Sequence, residues 1–161
     1  MTTSKPQLQP KKPGQKKLVK AALRTRRPDS EVNQAPVAWG RRVARLVGEN
    51  FGVRMVADRA KNEGSQSKKR IVIKCAKSTI PPIFVSSEML TRVDEVWGVF
   101  LSYGEGAQVW SCPADFVRRN AYFTHNPNVP ARAEITLKTI KRGGTLVGTI
   151  SQEEIEACHV P

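Results

Sequence analysis

The run Ile71 to Ala76 (IVIKCA) is apolar except at Lys74. An ammonium inside an apolar strand must find a partner or extend to water, so Lys74 calls for a carboxylate or a phosphate. Asp58 and Glu49 are the internal acids available to it. Each has a plainer reading. Asp58 follows a strand-like segment, where Asp is usually a turn residue. Glu49 lies one helical turn beyond Arg45, a pairing that contributes a few tenths of a kcal/mol. Other chemistries are poorly served. His125 and His159, the two histidines, have no Ser or Cys at nucleophile-type spacing. Cys158 and His159 are adjacent, an awkward pair for a single metal ion. Gly143-Gly144 has no following Lys-Ser/Thr and so makes no phosphate loop of the P-loop kind.

Phosphate gains weight from the charge distribution. The 161 residues carry 27 Lys and Arg against 14 Asp and Glu, a net charge of +13. Residues 1–28 hold nine of those cations (Lys5, Lys11, Lys12, Lys16, Lys17, Lys20, Arg24, Arg26 and Arg27) and no acid, so the remainder is nearly balanced at +4. Residues 1–35 are also rich in Pro and Gln and poor in large apolar side chains, the composition of a disordered arm. Within it, 15–27 (QKKLVKAALRTRR) is a candidate basic helix on a partner. A flexible polycation suits nucleic acid, because each neutralised phosphate releases condensed counterions. A merely solubilising tail is the bland reading. A mitochondrial presequence also lacks acids, although here Lys outnumbers Arg.

The body, 36–161, must position Lys74. Asn33 is a candidate cap for a helix from Pro36, with Trp39, Val43, Leu46 and Val47 at helical spacing and Gly52 at its end. Residues 53–57 (VRMVA) read as a short strand and 61–69 as a polar loop. The strand 71–76, apolar on both faces, belongs in the centre of a sheet. Pro81-Pro82 interrupts the chain before a short helix from Ser86 or Ser87. Residues 96–103 and 107–112 read as a hairpin across Gly104-Glu105-Gly106, and 113–119 as a short helix. Residues 125–130 look like a loop. Residues 135–140 pair with 146–150 as strands or are helical, their period being ambiguous. Ser151 and Glu154 make a capping box for a last helix. This alternation predicts a single α/β domain.

At Asp58 and Val72-Ile73-Lys74 the chain resembles the PD-(D/E)XK nuclease superfamily, whose pattern is a helical Glu, an Asp at a strand end, and a strand bearing Glu-x-Lys. The match covers roughly 36–115. The resemblance implies a restriction-endonuclease-like mixed sheet flanked by helices. It also implies Asp58 as a metal ligand, Lys74 as the catalytic Lys and Glu49 as the helical acid. In that family carboxylates hold Mg²⁺, which stabilises charge on the scissile phosphate. Here Val72 occupies the acid's place, one carboxylate short. Either Glu63 or Glu88 substitutes for it, or cleavage is lost.

The expected function is nucleic-acid binding, DNA favoured over RNA, through the arm and Lys74, with a degenerate catalytic motif. The alternatives are an active Mg²⁺-dependent nuclease and a ribosome- or ribonucleoprotein-associated protein. A homodimer is an expectation the family leaves open. Trp39, Trp97 and Trp110 read as core, with Trp110 and Tyr122 as stacking platforms should they be exposed beside cations. Arg118, Arg119, Lys138, Lys141 and Arg142 are candidates to extend the positive surface. No apolar run reaches the length of a membrane span, no signal peptide opens the chain, and three scattered cysteines argue against a disulfide scaffold, so a cytoplasmic protein is expected.

Overall fold

The computed structural model describes residues 34–58, 61–124, 126–128 and 130–159. The basic arm, Asn33 and His125 lie outside the described residues.

The chain enters on helix α1 (Gln34–Phe51), which carries Pro36 in its first turn, where a missing N–H costs little. Trp39, Val43, Ala44 and Val47 form its buried stripe. Gly52, at φ +72°, turns the chain out of the helix in a conformation a side chain would strain. Strand β1 (Arg54–Met55) follows and is shorter than the expected 53–57.

The polar loop expected at 61–69 is instead a hairpin. Strand β2 (Glu63–Gln66) turns through Ser67 and Lys68 into β3 (Lys69–Ala76). Both turn residues have positive φ, 49° and 68°, the conformation a two-residue hairpin turn requires. Neither is Gly, Asn or Asp, so the usual turn signal is absent. Glu63 faces Val72 and Gln66 faces Lys69 across the pair.

Strand β4 (Ile83–Ser86) leads into α2 (Ser87–Arg92), capped by the Ser86 hydroxyl accepting from the Met89 N–H. Strands β5 (Glu95–Ser102) and β6 (Gly106–Pro113) form the expected hairpin, and α3 (Ala114–Asn120) follows. The next segment holds two further short strands, β7 (Tyr122–Phe123) and β8 (Arg132–Ile135). The ambiguity at 135–140 resolves to a helix, α4 (Leu137–Gly143), capped by Thr136, so no hairpin joins it to the next strand. That strand, β9 (Thr145–Ile150), pairs with β6, and α5 (Gln152–Ala157) closes the fold behind the predicted Ser151–Glu154 capping box.

The architecture is mixed α/β. A six-stranded sheet runs β1-β2-β3-β5-β6-β9, antiparallel except for the parallel β3–β5 pair, and a small sheet runs β4-β8-β7. Side chains alternate across the large sheet. Ile71, Ile73, Trp97, Val99 and Val109 face α1 and α5, joined by Trp39, Val43, Val47 and Ile155. Val72, Ala76, Val96, Phe100 and Cys112 face the opposite layer of α2, α3, α4 and the small sheet, meeting Val85, Leu90, Val117, Ile135 and Ile140. The second layer packs so closely that a Cβ at Gly98 would lie 2.8 Å from Ile140 Cδ1. Each fully buried aliphatic side chain contributes about 1.5–3 kcal/mol. The central strand is therefore clamped from both sides.

Candidate nucleic-acid interface

The β2–β3 pairing ends at Glu63–Val72, with one more bond from the Ile73 N–H to the Asn62 carbonyl at 2.8 Å. Beyond this point no strand of the described residues covers that edge of β3, and the edge opens into a cleft of about 400 Å³ between the start of α1 and α2. Pro36, Val37, Gly40 and Arg41 line it from α1, Lys61, Asn62 and Glu63 from the β2 side, Lys74 and Cys75 from β3, and Met89 and Arg92 from α2. Four cations and one carboxylate share the space.

Lys74 shares its face of β3 with Val72 and Ala76. It is partly buried and, among the described residues, makes no hydrogen bond or ion pair. Burial pushes its pKa below the ordinary lysine value; the fields of Cys75 and Glu63 oppose that shift and Arg132 adds to it. Glu63 does not neutralise it by contact, because Arg92 holds that carboxylate at 2.9 Å. Arg41 likewise has no ion pair among the described residues, whereas its helix neighbours are committed to backbone carbonyls: Arg42 to Cys158 at 2.6 Å and Arg45 to Val56 at 3.2 Å. Lys61 sits 3.8 Å from Asp58. The Oδ1 atom of Asn62 is buried without a hydrogen-bond partner.

Cys75 donates to the Gly40 carbonyl across 3.6 Å, tying β3 to α1. Burial pushes its thiol up to about 12, despite the opposing charge of Lys74, so it is no nucleophile at neutral pH.

The constellation read from the sequence is only partly assembled. Val72 is wholly buried in the second core. Glu49 is exposed near the far end of α1, nine residues past Gly40, about 13 Å along the axis at 1.5 Å per residue. Asp58 is exposed, paired with Lys61, and is not among the cleft's lining residues. The carboxylate that does stand beside Lys74 is Glu63, placed by its register opposite Val72. Glu88 is exposed and reaches Arg92 at 3.9 Å. Arg41, Asn62 and Arg92 were invisible as site residues. Arg41 lies on the charged side of an amphipathic helix, and Arg92 ends a helix that only the fold brings to β3.

As arranged, the cleft offers a divalent cation one carboxylate already bonded to a guanidinium. Among the described residues no three His, Cys, Asp or Glu side chains gather anywhere. The same site favours an anion, since at least two of its four cations lack an ionic partner.

The remaining candidates divide. Trp39 and Trp97 are core, and His159 stacks on Trp39 with ring centroids 5.5 Å apart. Trp110 is only partly buried and carries Lys141 Nζ 5.3 Å from its centroid. Tyr122 is exposed. Arg118 is spent on Asp115 and the Leu90 carbonyl. No described helix is long and apolar enough to cross a membrane. Comparison with protein-family models, curated proteins and solved structures finds no significant match to this chain.

Proposed function

We propose that this chain is a nucleic-acid-binding protein, DNA favoured over RNA, whose restriction-endonuclease-like core keeps the Lys of a Glu-x-Lys motif and has lost the acid. The observation that carries the reading is Lys74, a partly buried ammonium without an ionic partner among the described residues, in a cleft that holds four cations and one occupied carboxylate. A phosphate supplies the missing countercharge, with Arg41 as a second ligand. The order α1, an antiparallel meander β1-β2-β3, a crossover through α2, and β5 parallel to β3 is compatible with the core that the sequence resemblance implies. The arm adds sequence-independent affinity through phosphates.

The test measures melting temperature and affinity for labelled DNA and RNA in wild type and Lys74→Met. Expected is an order-of-magnitude loss of affinity, from roughly 1–3 kcal/mol for a charge-assisted hydrogen bond, with folding intact. A large drop in melting temperature with unchanged affinity overturns the reading.

One observation favours the nuclease alternative: Glu63 stands across from Val72, next to Lys74. Incubation of plasmid and single-stranded DNA with Mg²⁺ or Mn²⁺ separates the two. Slow or no cleavage is expected; rapid cleavage abolished by both Glu63→Gln and Lys74→Ala would make the chain an enzyme.

A further inference from the structure

Between β3 and β4 runs a six-residue connection, Lys77-Ser78-Thr79-Ile80-Pro81-Pro82. Its tip, Ile80, is 86% exposed, the most exposed aliphatic residue among those described, and has no part in either core. Single exposed apolar side chains are ordinary. The surroundings of this one are not. Its neighbour Thr79 joins Leu137, Lys138, Lys141 and Arg142 in an open groove of about 530 Å³ with no acid among its described lining residues. Among the described residues neither Lys138 nor Lys141 has an acidic partner, and Arg142 donates only to Asn120 Oδ1. The tip is also stiff. Two consecutive prolines fix their own φ and restrict the residue before them, and the Ile80 N–H bonds to Ser78 Oγ at 3.4 Å.

We propose that this connection is a wedge: Ile80 enters the base stack of a DNA duplex whose phosphates are held by the adjoining α4 groove. An exposed apolar side chain beside phosphate-binding cations is an arrangement by which proteins unstack and kink a duplex. The cations of that groove disfavour a basic protein partner, and one isoleucine is too small an apolar patch to anchor a protein interface. The inference deepens the proposed function and rests on it.

The test uses the full chain and a short DNA duplex carrying a fluorescent purine analogue whose emission rises when it unstacks. Wild-type binding should raise the emission. Ile80→Ala should abolish the rise and weaken binding roughly tenfold, as expected when an aliphatic side chain is no longer buried against the bases. Ile80→Leu should restore both, and the melting temperatures of all three proteins should agree because the residue is exposed. Wild-type binding with unchanged emission, or an undiminished rise with Ile80→Ala, overturns the wedge alone. No wild-type binding to the duplex overturns the proposed function with it.

Discussion

The two ends of β3 each present a lysine, and their surroundings are opposite. Lys69, at the entrance, is well exposed and lies 2.6 Å from Glu95 on the neighbouring strand. That hydrogen bond, with the charge behind it, raises its pKa. Glu95 is held below the usual carboxylate value: burial alone would raise it, but bonds from Lys69 and Trp97 prevail. Lys74, five residues on, is partly buried, lacks a direct partner among the described residues and has its pKa lowered by burial. The first lysine is a satisfied surface ion pair of the kind that contributes little. The second holds a charge where the fold alone does not compensate it. Uncompensated charge in a cleft is what a ligand of opposite sign would relieve.

Val72 gives the strongest test of this contrast. It separates the two ends and is fully buried, so Val72→Asp, which would put an acid two residues before Lys74, places a carboxylate in an apolar layer. We expect a loss of roughly 4 kcal/mol or more in urea denaturation. A fold of undiminished stability would show that the cleft reaches deeper than the packing indicates.

Next in size is the arm. Removing residues 1–28 takes away nine of the thirteen net positive charges. The dependence of log K on log salt should flatten, by about 0.9 for every duplex phosphate that the arm had neutralised. An unchanged slope would assign the salt dependence to the folded body, and to the Lys74 and α4 cations within it.

The smallest effect concerns pH and has opposite signs at the two ends. Lys74 titrates below 10.5 in the folded chain, so the unfolded chain binds more protons between that lowered value and 10.5. Stability therefore climbs with pH through this window, and Lys74→Met should remove the climb. Lys69 titrates above 10.5, so its contribution is complete below 10.5 and disappears as pH rises through the raised value; Lys69→Met should remove that decline. Urea midpoints across an alkaline series check both. Bound DNA should raise the Lys74 pKa and shrink its window, and identical curves for wild type and Lys74→Met would mean that the ammonium is fully hydrated.

Much of the fold was legible because local rules and tertiary packing agree. The stripe of Trp39, Val43 and Val47, the two-faced apolar run at 71–76, the 95–113 hairpin and the Ser151 capping box all formed as their patterns require. The misses occurred where the signal was tertiary. The turn at Ser67-Lys68 adopts positive φ without Gly or Asn, held by its two strands, so β2 read as loop. Strands β4, β7 and β8 are too short to show a period, and among the described residues their ladder bonds run only to one another.

The site divides in the same way. From the sequence alone came the cationic arm and the anomaly of Lys74, because an ammonium among apolar residues is costly in any fold that buries them. Which acid would stand beside it was decided by register. A hairpin turn two residues long sets Glu63 opposite Val72 and so beside Lys74, while the length of α1 carries Glu49 to the far end of the layer. Arg41 and Arg92, more than fifty residues apart in the chain, meet across the cleft only because α1 and α2 lie on opposite faces of one uncovered strand edge. Spacing along a chain reports which side chains share a face, and only the packing of layers decides which faces meet.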